Sequence, residues 1–118
     1  MRMFARILGI FLLIEGVWGL FSPVVFGIFT TNMLHAVIHI VLGISGIVLS
    51  RSAVARGYLI GVGGLLAVVG VLYFVPGMTG LVIGLLNVNF AVASFNIVVG
   101  LASIVMALST PKEVVITT

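Results

Sequence analysis

The chain has no cysteine, no aspartate and, in its first 112 positions, a single acidic residue, Glu15. Without cysteine there are no disulfides, no thiolate nucleophile and no cysteine metal site. Without aspartate there is no Ser-His-Asp triad, and a Ser-His-Glu set has no nucleophile elbow to support it. The expected protein is therefore not an enzyme. Charged residues make up 6% of the 118 positions, against about 25% in ordinary globular domains. So few polar groups cannot cover a water-soluble surface, and the expected solvent is lipid. The pI of about 10.3 rests on only five Lys and Arg residues. They make no basic patch with interleaved aromatics, which sets nucleic acid aside as a partner. Gly61-x-Gly63 follows no strand and has no Walker lysine, which sets a nucleotide loop aside.

What is present is long apolar sequence: 63% of residues are hydrophobic and the mean hydropathy is +1.51. A membrane helix needs about 20 apolar residues, and residues 4–22, 31–50, 56–75 and 88–109 each supply such a run. Ser22-Pro23, the Arg51 to Arg56 stretch, Pro76-Gly77 and Thr110-Pro111-Lys112 mark the breaks. The runs are continuous and too long for barrel strands, so a sheet is not expected. The fold class predicted is all-α: an integral membrane four-helix bundle forming one domain over residues 1–118. Arg2 and Arg6 resemble the start of a secretory signal, but Glu15 interrupts the run and no Ala-x-Ala-like exit precedes Pro23, so a retained first span is expected.

Arg2, Arg6, Arg51, Arg56 and Lys112 all fall on one side of a four-span arrangement. The positive-inside rule then places both termini in the cytoplasm, in the inner membrane. The opposite loops, Pro23–Phe29 and Gly80–Leu86, are themselves apolar. They are expected to lie in the interface or fold back on the helix ends.

Spans 2 and 4 align without gaps at an offset of 57: Asn32 falls on Asn89, His39 on Asn96, Ile40 on Ile97 and Gly43 on Gly100. Spans 1 and 3 match more loosely, each opening on Ala-Arg. Two tandem, parallel-oriented hairpin repeats are predicted, about 1–50 and 55–110, followed by a short tail at 111–118.

Depth counting at about 1.5 Å per residue gathers the polar groups. Glu15 lies roughly 10 Å from the outer end of span 1, His35 and His39 about 6 and 12 Å into span 2, and Asn96 near 10 Å. His35 and His39 are four apart and share a face, and Asn32 extends that stripe outward. A Glu15–histidine contact is predicted across the first hairpin. Three readings stay open. The layer is a structural hydrogen-bonded network; or a proton or cation site built on Glu15 and His39; or His35 or His39 ligates haem, chlorin or a metal, with no cofactor as the leading expectation.

Gly57-x-x-x-Gly61, with Gly63 and Gly64, gives span 3 a small face for intramolecular packing or a homodimer. Gly16, Gly19, Gly43, Gly46 and Gly100 are expected to admit close helix approach inside the bundle. Trp18, Tyr58 and Tyr73 fit an interfacial belt.

The stretch Asn32-Met33-Leu34-His35-Ala36-Val37-Ile38-His39-Ile40-Val41-Leu42-Gly43 resembles a bacterial four-span membrane family of unknown function. In that family span 2 opens on Asn-x-Leu-His-x-x-x-His-x-x-x-Gly. The resemblance covers most of the chain and implies a small integral membrane protein, with no activity attached. Small multidrug-resistance transporters share the four-span size and a span-1 Glu. Their Ala-Glu context is missing here, and the charge bias argues against dual topology. The expected function is action by assembly in the bilayer, as a homo-oligomer or an accessory subunit of a larger membrane complex. The alternatives are proton- or cation-coupled transport and cofactor holding.

Overall fold

The computed structural model describes residues 1–51 and 53–110. Lys112, the fifth basic residue of the charge argument, and the 111–118 tail lie outside the described residues. The fold is all-α, with five helices: α1 (Arg2–Phe21), α2 (Met33–Leu49), α3 (Ala55–Tyr73), α4 (Thr79–Leu86) and α5 (Phe90–Ser109). Three of them, α1, α3 and α5, are long and apolar enough to cross a membrane. The fourth apolar run gives a shorter helix, α2, of 17 residues, about 26 Å long.

Two intimate helix pairs dominate, α1 on α2 and α3 on α5. Glycine makes both. A Cβ on Gly43 would stand 2.5 Å from Leu13 N and 2.7 Å from Gly9 O. A Cβ on Gly100 would stand 2.7 Å from Ala67 N and 2.5 Å from Gly63 O. Further along each pair, Gly16 meets the backbone of Ala36 and Ile40, and Gly70 that of Ala93 and Ile97. No side chain fits at these crossings, so the backbones touch.

Gly57, Gly61 and Gly64 meet nothing within 4 Å. The intramolecular role allowed for Gly57 and Gly61 is therefore not the one they have. The reason is helical phase: Leu59, Gly63, Leu66 and Gly70 are buried on the face toward α5, and Gly57 and Gly61 lie on the other side. Tyr58 also departs from the belt expected of it. It is buried, and its hydroxyl donates to Leu42 O at 2.7 Å, tying the first pair to the second.

The basic end is compact. Arg56 donates to Thr110 O at 2.8 Å, and Arg2 reaches Arg51 O at 3.5 Å. The end of each pair is thus closed by an arginine from its start.

At the opposite end the apolar loops fold back on the helices. β1 (Val24–Val25) pairs antiparallel with β2 (Phe29–Thr30) around Phe26 and Gly27, both at positive φ, 54° and 74°. Such φ values suit a tight primed turn but strain a phenylalanine. The Phe26 ring is held in return, 5.6 Å from Phe11 and 4.8 Å from Trp18 between centroids. Pro76-Gly77 turns the chain into α4, with Gly77 at φ 88° and Met78 N donating to Val75 O, the pattern of a type II turn. Val25 and Phe29 then bury with Val82, Val88, Val92 and Ala93 in one cluster beneath both loops.

Candidate functional site: a buried Glu15–His39 pair beside a cleft

Helix α4 ends on Asn87, in the left-handed region at φ 52°. The terminal carbonyls of a helix have no partner of their own. Here three consecutive carbonyls each receive a side chain from the Thr30–His35 segment. Asn32 Nδ2 donates to Leu85 O at 2.8 Å, His35 Nδ1 lies 3.0 Å from Leu86 O, and Thr30 Oγ1 donates to Asn87 O. The return bonds run from Asn87 Nδ2 to Thr31 O and from Asn89 Nδ2 to Ile28 O. Asn32 and Asn89 also cap their own helices, accepting from His35 N and Val92 N at 2.9 Å each.

This fixes the role of His35 in the fold. A carbonyl only accepts, so His35 carries its proton on Nδ1, and its neutral Nε2 is an acceptor. Its ring packs edge-on against His39, with centroids 4.2 Å apart and planes at 74°. One turn deeper, His39 Nδ1 stands 3.4 Å from Glu15 Oε1, and each side chain is 4% exposed. Close approach of α1 at Gly16, next to Glu15, brings the pair within reach. The other carboxylate oxygen, Glu15 Oε2, is the one sealed polar side-chain atom without a hydrogen-bond partner among the described residues. Burying such an atom is costly.

His35, His39 and Asn96 border a cavity of about 70 Å³ between α2 and α3, whose walls are completed by Ile38, Leu42 and Leu65 among others. Glu15 is not on its surface; it sits behind His39. Of the sequence-predicted residues, the structure thus groups Glu15, His35, His39 and Asn96, and places Asn32 one step outward as a cap. Sequence reasoning missed Asn87 and the α4 carbonyls. An Asn followed two residues later by a second Asn, just before an apolar run, was the available signal.

No group of three or more His, Cys, Asp or Glu arranged to hold a metal ion occurs among the described residues. The cavity is also small beside the roughly 300 Å³ or more of typical cofactor pockets, so a haem or chlorin ring does not fit between α2 and α3 as they stand.

These features define an all-α protein with membrane-length helices and a buried polar pair. A family model described as a domain of unknown function, DUF4383, matches residues 2–109, and the chain belongs to that family. No curated protein and no solved structure matches it.

The Glu15–His39 pair makes a direct prediction. His39→Leu alone leaves a buried carboxyl with neither oxygen partnered, whereas Glu15→Leu/His39→Leu removes both polar groups. Reversible unfolding in mixed micelles should find the single variant less stable than the double by at least about 1 kcal/mol. Equal or reversed stabilities would mean that the two groups do not interact.

Proposed function

We propose that this chain is a four-span inner-membrane protein of two tandem hairpins, with both termini cytoplasmic, that acts by assembling with copies of itself. Several observations support the arrangement. Although α2 is short, it packs antiparallel along α1, and its outward side chains, such as Val37, Val41, Ile44 and Val48, are exposed and apolar. Seventeen residues lie at the lower limit for a span. The glycine contacts recur at matching intervals: Gly9, Leu13 and Gly16 against Gly43 and Ala36 correspond to Gly63, Ala67 and Gly70 against Gly100 and Ala93. That register sets Arg2, rather than Arg6, opposite Arg56, and each of those two arginines closes its own pair. Asn32 to Leu85 and Asn89 to Ile28 are also reciprocal under the 57-residue offset, as expected for a pseudo-two-fold axis along the membrane normal.

The observation that carries assembly is the unused glycine face of α3. Gly9, Gly16, Gly43, Gly63, Gly70 and Gly100 are all consumed in helix crossings, while Gly57, Gly61 and Gly64 stand open. In a bilayer, close backbone approach is a principal source of helix association. Gly61→Leu should convert a detergent-solubilised oligomer to monomer, measured by native mass. The same monomeric mass for wild type and variant would refute self-assembly.

A second reading, proton or cation uptake by Glu15 and His39, is favoured by the unpartnered Glu15 Oε2. On this reading Glu15→Gln abolishes pH-dependent flux in liposomes, and flux unchanged by that substitution excludes it.

A further inference from the structure

The two hairpins meet along a shared apolar core of Leu8, Leu12, Leu59, Val62 and Leu66, with a groove on either side of it. The α1–α5 groove is bordered by Phe4, Ile7, Leu8, Phe11, Phe95 and Val99 and holds about 210 Å³. It is wholly apolar, and rings close it toward the loops: Phe11 against Phe95 at 5.2 Å, Phe95 against Phe29 at 5.1 Å and Phe11 against Phe26 at 5.6 Å. The α2–α3 groove is its counterpart in the two-hairpin arrangement. Leu65 stands where the first hairpin has Phe11, and Ile38 where the second has Phe95. With no aromatic rings at those places, this groove runs inward to His35, His39 and Asn96. Leu65, at its mouth, is 45% exposed. The α1–α5 groove is the roomier and is stoppered by aromatics only at its loop end, whereas the α2–α3 groove carries both histidines of the chain.

The chemistry at the floor is specific. His35 gives its N–H to Leu86 O and keeps an acceptor nitrogen. His39 directs Nδ1 toward Glu15, which leaves Nε2 outside that contact. The second nitrogen of neither ring is sealed in protein without a partner, and both rings line the cleft. Asn96 adds an amide that both donates and accepts. Apolar walls with a floor that both accepts and donates fit a group that donates one hydrogen bond and accepts another. We propose that the α2–α3 cleft binds a membrane-dissolved molecule with an apolar body and a hydroxyl head, an alcohol or a phenol, whose head sits against His35, His39 and Asn96. The cavity of about 70 Å³ takes the head and the first carbons of the tail, while the remainder lies along the groove in contact with lipid. The proposal rests on the two-hairpin arrangement for its comparison of grooves and is independent of self-assembly.

The test uses the full chain, labelled with 15N in its histidine rings, in phosphatidylcholine nanodiscs. Dodecanol and dodecane are titrated in parallel. Dodecanol should shift both histidine ring signals saturably, and dodecane should not. Leu65→Phe, which copies the plug of the opposite groove, should weaken dodecanol binding at least tenfold. Val105→Phe, at an exposed position that lines neither groove, should leave it unchanged. Unshifted starting spectra in both variants show that the fold is kept. Equal responses to alkane and alcohol, no saturable shift with dodecanol, or undiminished binding in Leu65→Phe would each overturn the proposal. Oligomer mass measured on the same samples separates this outcome from the failure of self-assembly.

Discussion

Contact between helix backbones at glycine is the constraint on which the rest of the structure depends. Helices in an apolar solvent gain little from burying apolar side chains against each other, since lipid offers the same environment. They gain from close packing, and that needs positions with no side chain. Gly16 admits the backbone of Ala36 and Ile40, and the neighbouring Glu15 is thereby drawn to within 3.4 Å of His39. A larger residue at position 16 would push α1 away from α2 and leave the carboxyl alone in an apolar interior. The polar layer is therefore a consequence of the packing, not a separate device.

The loop end follows a second rule, that buried backbone groups must find partners where water is scarce. Helix α4 is eight residues long and ends against the Thr30–His35 segment. Its last carbonyls are met by Asn32, His35 and Thr30, while Asn87 and Asn89 return bonds to the first loop. Each hairpin thus completes the other's loop. One histidine is spent on this structural task, and the other faces the carboxylate. That division narrows the chemical question from four polar residues to Glu15, His39 and the cleft beside them.

Much of this could be read from the sequence. Long apolar runs ending at Pro23 and Pro76 gave the long helices, and counting helical rise brought Glu15, His35, His39 and Asn96 to one level. Three things could not be read. The loops are apolar without a decisive period, so β1–β2 and α4 look alike as sequence. Glycines that pack and glycines that face outward differ only in helical phase, and Gly57-x-x-x-Gly61 carries the familiar spacing on the outward side. His35 bonds to a main-chain carbonyl, and a backbone partner leaves no trace in residue identity.

Glycine packing holds the Glu15 carboxyl against His39. The chain has only two acidic residues and two histidines, so selective labelling resolves the pair. A 13C–15N distance measurement between Glu15 Cδ and His39 Nδ1 in bilayers tests the claim most directly. A separation within about 5 Å, lost in Gly16→Val, is the predicted result, since an N···O contact in ion-pair range puts the carboxyl carbon about one bond farther away. A separation beyond about 6 Å, outside the range of strong mutual influence, would contradict it.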